Sequence, residues 1–155
     1  MYDKHVTFLG YAPEKLFPTR LDEMKEDKIR KTLFLTIAEL YGNGYRTFVS
    51  DLSAGFGLMA ADTVVMLRDS DKCPDIRLVA MIASKHQSEK YDKLSAALFS
   101  DLLEQANEVR TVSGKKYQDR TQESGHIVCY STIVSKEIHE MEAAGIPLTN
   151  IFKLI

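Results

Sequence analysis

Short apolar runs alternate with longer amphipathic segments along almost the whole chain, and this alternation restricts the fold more than any other feature of the sequence. Runs with the character of strands occupy six stretches: 5–10, 45–50, 75–83, 108–113, 126–131 and 146–154. Segments with helical character separate most of them, at about 21–41, 57–68, 88–107 and 135–145. The polar segment 114–125 is either a loop or a short exposed helix. Strands that alternate with helices of this length predict βαβ units and a mainly parallel sheet.

A parallel sheet of this kind predicts three layers, because right-handed crossovers place helices on both of its faces. We therefore expect an α/β fold, a three-layer Rossmann-like sandwich with strand order 3-2-1-4-5 and a further C-terminal strand. Residues 1–155 are expected to form a single domain, since no repeat, linker or low-complexity segment divides them. The helix at 57–68 is apolar nearly all round and is expected to be buried. The long helix at 88–107 is expected to break near Ser100.

Charge and cysteine usage argue against several classes of partner. The formal net charge of −2 gives no electrostatic reason to bind nucleic acid or an anionic membrane. No apolar run is long enough to span a bilayer or to form a signal peptide. Cys73 and Cys129 lack metal or redox spacing, so we expect two free thiols in a reducing compartment. A cytoplasmic location is therefore predicted.

Candidate binding residues are sought where the strands end. In open parallel sheets, ligands bind beyond the carboxyl ends of the strands, beside the point where the strand order reverses. This rule selects four segments of the chain: 10–13, 50–57, 83–87 and 130–134.

The turn at 50–57 has two opposite interpretations. Gly55 and Gly57 open a helix whose free backbone N–H groups suit an anion, and the hydroxyls of Ser50 and Ser53 add donors. Asp51, however, places a carboxylate where a phosphate would bind. The alternative is that the glycines only permit a tight turn and close packing, with Asp51 or Ser53 as a helix cap.

The other segments contribute single candidates. Gly10 leaves room for a ligand, and Tyr11 either stacks on a base or packs within the protein. Lys85, beside His86, either neutralises a phosphate or is simply solvated. Ser131 either contacts a phosphate or caps the following helix.

No metal site and no catalytic residue are predicted. The histidines lack ligand spacing, and the chain contains no Walker, GxGxxG or Gly-x-Ser-x-Gly motif.

Taken in order, four segments resemble the YpsA-like family of the SLOG superfamily, Rossmann-like proteins related to DprA and LOG proteins. The segments are "FLGYAPEKL", "SDLSAGFGLMAAD", "PDIRLVAMIAS" and "HIVCYSTIVSKEIHEMEAAGIPL", which together span about residues 5–152. The resemblance implies a Rossmann-like fold and a nucleotide or ADP-ribose-like ligand. It does not imply a particular reaction.

The chain departs from the family pattern at positions that would contact a phosphate. The family's T-G-H-R is replaced by the tetrapeptide 9–12, Leu-Gly-Tyr-Ala, and the second glycine of S-G is replaced by Asp51. Leu58 stands where the family has an aspartate, and the glycines of the last turn become the tripeptide 132–134. Asp62 keeps an acidic side chain at the family's glutamate position.

These departures predict a non-catalytic sensor or interaction module with a degenerate phosphate site. The alternative is a functional binder of a nucleotide or ADP-ribose-like ligand, or less readily a hydrolase that uses Asp62 and His86. No certain cofactor is expected. A protein partner or homo-oligomer is also expected, since aromatic residues such as Phe17 and Phe99 would need covering.

Overall fold

A computed structural model describes residues 5–10, 23–131 and 136–155 of the chain. Its strands are β1 (His5–Leu9), β2 (Thr47–Ser50), β3 (Arg77–Ile82), β4 (Glu108–Thr111), β5 (His126–Cys129) and β6 (Leu148–Asn150). They form one sheet in the order β4-β3-β2-β1-β5-β6, and every neighbouring pair is parallel. The order reverses between β1 and β5, which is the switch point of a doubly wound sheet.

The strand order corrects the sequence prediction in one respect. The segment 3-2-1 is confirmed, but β4 lies outside β3 and not between β1 and β5. The crossover from β3 to β4 continues in the direction set by the first two crossovers. As the sheet's edge strand, β4 is exposed from Val109 to Thr111. The alternation of strands and helices does not encode this direction, because a crossover to either side of the sheet has the same local pattern.

Helices cover both faces of the sheet, as the three-layer prediction requires. They are α1 (Glu23–Gly42), α2 (Phe56–Asp69), α3 (Lys93–Gln105), α4 (Gly114–Gln122) and α5 (Lys136–Ala143). The first three pack on one face, where alternate strand residues such as Phe8, Phe48 and Leu78 join the main core. On the opposite face, Tyr117 of α4 packs with residues of β2 and β3, and Met141 of α5 packs with residues of β5. Because successive strand side chains point to opposite faces, β1, β2, β3 and β5 contribute to the packing on both faces.

Several local predictions are confirmed. Helix α2 is buried along most of its length, as its apolar sequence predicts. Helix α1 ends at Gly42, next to the predicted end near residue 41, and α5 ends at Ala143, within the predicted segment 135–145. Both cysteines are free thiols. The segment 114–125, left open between loop and helix, contains α4.

Other local predictions are wrong. The break expected near Ser100 lies earlier, because a 3-10 helix (Gln87–Lys90) precedes α3 and Asp92 caps α3 by accepting a hydrogen bond from the Ser95 N–H. The last strand is shorter than expected, and a 3-10 helix (Ile151–Leu154) follows it. Phe99 is only 1% exposed, so it does not need a partner to cover it. Phe17 lies outside the described residues.

Across the part of the chain that the structure describes, no helix is long and apolar enough to cross a membrane.

Candidate ligand site

A cavity of about 510 Å³ opens at the carboxyl edge of the sheet, on the face covered by α4 and α5. Its apolar surface is formed by Leu9, Met81, Val112, Tyr117 and Met141. Its polar surface is formed by Asp51, Ser53, Gln87, Tyr91, Ser113, Gln118, Thr121 and Glu140. The chain just after β1, β2, β3 and β4 contributes to the wall, so the ends of four neighbouring strands meet here. The volume falls in the range of small-molecule sites.

The turn between β2 and α2 is held by its own side chains. The Ser50 hydroxyl accepts a hydrogen bond from the Leu52 N–H at 3.1 Å and donates one to the Gly57 carbonyl at 2.8 Å. Leu52 has a φ of +54°, and Gly55, the first residue before α2, has a φ of +90°. A Cβ on Gly57 would lie 2.6 Å from the Ser53 Oγ and 2.8 Å from the Asp51 Oδ1, so a side chain there would displace the ends of these two side chains.

Asp51 occupies the anion position of this turn with its own carboxylate. Its Oδ1 accepts a hydrogen bond from the Ser53 N–H at 2.9 Å. Among the described residues that line the cavity, there is no Lys, Arg or His to balance the charge. The carboxylate therefore makes the turn side of the cavity negative.

Phe56 fills the space next to Gly10 at the start of α2. A Cβ on Gly10 would lie 2.3 Å from Cδ2 of the Phe56 ring. Phe56 is fully buried, and its ring packs against Phe8 and Tyr130 with centroid separations of 6.5 and 6.2 Å. An aromatic ring of the core thus takes the place next to the first strand end, where an open phosphate turn would need room.

Gln87 and Tyr91, in the segment after β3, stabilise the turn through hydrogen bonds. The Gln87 Nε2 donates to the Asp51 carbonyl at 2.9 Å and to the Tyr91 hydroxyl at 3.1 Å. The Tyr91 hydroxyl donates to the Leu52 carbonyl at 3.1 Å. Burial raises the pKa of the Tyr91 phenol; the Gln87 hydrogen bond lowers it, and the nearby charge of Asp51 raises it further. These bonds fix the position of Asp51 at the cavity wall.

Tyr117 forms the floor beneath the same carboxylate. Its hydroxyl donates to the Phe8 carbonyl at 2.8 Å, across the face of the sheet. Burial holds the pKa of the phenol well above its ordinary value, and the Asp51 charge acts in the same direction. One turn along α4, the Thr121 hydroxyl donates to the Tyr117 carbonyl at 2.8 Å.

The chain was compared with models of known protein families. A model described as the YspA SLOG family, YpsA, matches residues 6–126. The chain belongs to the YpsA-like SLOG family. The match runs from β1 to the first residue of β5 and includes every lining residue except those of α5. A comparison with curated proteins found no match. Membership in the SLOG family fits a domain of the nucleotide-ligand-binding kind.

The structure brings three of the predicted binding residues to the cavity wall: Gly10, Asp51 and Ser53. Ser50, Gly55 and Gly57 lie within the turn, where they shape the backbone. Tyr11, predicted to stack on a base, lies outside the described residues.

The remaining predicted residues lie elsewhere. Asp62 is on α2 and forms an ion pair with Arg30 of α1 at 3.1 Å, in the helical layer on the other face of the sheet. Lys85 is exposed and does not line the cavity. Ser131 is buried, and its N–H donates to the side chain of Asn150 at 3.1 Å.

Sequence reasoning missed the cavity-lining residues that follow β4 or lie on α4 and α5. Ser113 follows β4, so applying the strand-end rule to that strand would have found it. Tyr117 and Thr121 have helical spacing on α4, but the sequence left that segment open between loop and helix. Glu140 lies on α5, where only the tertiary structure brings it to the cavity.

No group of three or more His, Cys, Asp or Glu side chains lies together as a metal ion would require, among the residues that the structure describes.

Proposed function

We propose that this SLOG domain is a non-catalytic sensor that holds a small, nucleotide-derived molecule in the carboxyl-edge cavity, while its phosphate turn no longer binds an anion. The observation that carries the proposal is the cavity itself, where the ends of four neighbouring strands meet between an aromatic floor and a polar wall. Its position at the carboxyl edge is where this class of sheet binds ligands.

Two contacts support the loss of the phosphate site. Asp51 supplies an internal carboxylate to the N–H of Ser53, so an incoming phosphate would meet a negative charge at that position. Phe56 fills the space beside Gly10. A phosphate held by a helix amino terminus needs an accessible backbone and no competing anion.

The absence of catalysis is supported by the titratable groups of the wall. A general acid or base works best with a pKa near the working pH. Burial moves the pKa of Tyr91 and of Tyr117 upward, away from neutrality. The described part of the lining adds only the carboxylates of Asp51 and Glu140 as ionisable groups.

A thermal-shift panel tests the proposal. The purified protein is melted with ribonucleosides, AMP, ATP, NAD and ADP-ribose at millimolar concentration. A ligand present at 100 times its dissociation constant adds about 2.7 kcal/mol to the free energy of unfolding, which gives a clear rise in Tm.

A pair of variants on α4 locates the site. Gln118 is exposed at the cavity rim, so Gln118→Trp should obstruct the cavity and abolish the shift. Lys115 is exposed on the same helix outside the lining, so Lys115→Trp should preserve it. If no compound raises Tm, or if the shift survives in Gln118→Trp, this cavity is not the site, and protein partners become the better explanation.

A further inference from the structure

Four side chains of the cavity wall use their hydrogen-bond donors within the protein. The hydroxyls of Tyr91, Tyr117 and Thr121 each donate to a backbone carbonyl. The side-chain amide of Gln87 donates twice, to a carbonyl and to a phenol oxygen. The Gln87 Oε1 already accepts the Ala83 N–H, and the Tyr91 hydroxyl already accepts from Gln87. Each of these oxygens keeps a further lone pair, whereas the protons of the four groups are used.

The acceptors of the wall are far less occupied. The Asp51 carboxylate, which offers about four acceptor positions, receives one hydrogen bond from the described residues, from the Ser53 N–H. Glu140 adds a second carboxylate at the exposed side of the cavity. A ligand that fills this space must donate hydrogen bonds, because a buried acceptor without a partner is costly.

One feature acts in the opposite direction. Ser113 and Gly114, at the amino terminus of α4, also line the cavity and present a partial positive charge of about one half. The Ser113 Oγ already accepts the Lys116 N–H at 3.2 Å, which satisfies one of the free donors of that terminus. The full negative charges of Asp51 and Glu140 exceed the partial positive charge that remains at the amino terminus of α4.

We infer that the cavity selects a phosphate-free ligand that donates hydrogen bonds, namely a ribonucleoside or a comparable neutral molecule rich in hydroxyl and amino groups, and that Asp51 receives its hydroxyl donors. This inference rests on the proposed function and narrows its ligand class. A phosphate group has only acceptor oxygens and a negative charge. It therefore cannot donate to the unoccupied acceptors of the wall, and its charge is repelled by the carboxylates.

Calorimetric titration compares the four common ribonucleosides with their 5′-monophosphates and their 2′,3′-dideoxy analogues. The nucleoside that binds should do so at least about tenfold more tightly than its monophosphate, which corresponds to about 1.4 kcal/mol. The dideoxy analogue lacks the 2′ and 3′ hydroxyls and should lose a similar factor.

Asp51→Asn tests the role of the charge while keeping the oxygen that accepts the Ser53 N–H. In this variant the nucleoside should bind more weakly, and its advantage over the monophosphate should shrink to less than about threefold. Asp101→Asn makes the same charge change at an exposed position of α3, outside the cavity, and should leave both affinities unchanged.

The outcomes separate the two proposals. If a monophosphate binds as tightly as its nucleoside, or more tightly, and Gln118→Trp abolishes that binding, the ligand class inferred here and the proposed loss of anion binding are wrong, while the proposed role of the cavity as a sensor site stands. The inferred role of Asp51 is also wrong if Asp51→Asn leaves the preference unchanged. If none of these compounds binds, this inference is rejected; the proposed function is rejected as well only if ATP, NAD and ADP-ribose also fail to raise Tm.

Discussion

Among single residues, the contact between Gly10 and Phe56 most directly limits which side chain can stand beside the site. Any side chain on Gly10 would overlap the buried Phe56 ring, starting 2.3 Å from its Cδ2. Because the ring is enclosed by the core, it cannot move aside without disturbing other packing. We expect Gly10→Ala to lower the free energy of unfolding by about 1–3 kcal/mol, measured by urea denaturation.

Gly42→Ala is the matched control for this substitution. A Cβ on Gly42 meets nothing within 4 Å, and Gly42 ends α1 without a positive φ. Alanine there should be neutral or stabilise the protein by up to about 1 kcal/mol. Equal stability of the Gly10→Ala variant and the unmodified protein would show that the ring does not occupy this space.

At the scale of elements, the turn before α2 depends on the segment that follows β3. The Tyr91 hydroxyl donates to the carbonyl of Leu52, the residue that adopts a φ of +54°. Tyr91→Phe removes this bond and should cost about 1 kcal/mol of unfolding free energy. It should also speed hydrogen exchange at the backbone amides of Leu52 and Ser53, since the turn then loses a support.

Tyr45→Phe is the control, because it also removes a tyrosine hydroxyl but does not affect the turn. The Tyr45 hydroxyl donates to the Gly125 carbonyl at 3.1 Å, away from the cavity lining. Its removal should lower stability by a similar amount without changing exchange in the turn. If both variants change the hydrogen-exchange rates in the turn equally, the Tyr91 hydrogen bond does not specifically stabilise the turn.

At the scale of the whole molecule, His126 makes stability depend on pH. Its Nε2 lies 2.8 Å from the Thr149 Oγ1 of β6, and its ring packs edge-on against Tyr45. Burial lowers the pKa of His126 below its ordinary value of 6.5, against a smaller opposite effect of Glu39 on α1. The unfolded chain therefore binds this proton more readily, so the free energy of unfolding should fall as the pH drops below about 6.5.

Urea denaturation on both sides of this pH measures the effect. His126→Gln removes the titrating group and should reduce the slope of stability against pH. His86→Gln, at a histidine whose side chain is 79% exposed, is the control for the exchange of histidine for glutamine. An unchanged slope in the His126→Gln variant would place the pH dependence elsewhere.

The elements of the fold were largely predictable because their signals are local. The apolar spacing of Ile29, Leu33 and Ile37 records which side of α1 is buried, and all three are fully buried. The glycine-bearing turn after β2 was also recognisable, together with the conflict that Asp51 introduces. The candidate site was predictable only in part, since Gly10, Asp51 and Ser53 reach the cavity whereas Lys85 and Asp62 lie elsewhere.

Local patterns were sufficient to identify the α/β class, the parallel sheet and the approximate position of each element, because periodicity and turn residues act over a few neighbouring positions. The family was indicated separately, by the resemblance of four segments. Only the tertiary structure decided that β4 lies at the sheet edge, that Phe56 fills the space beside Gly10, and that α4 and α5 close the cavity. These features depend on which distant element covers each apolar surface. A local pattern shows that a surface must be covered, but it does not say by which part of the chain.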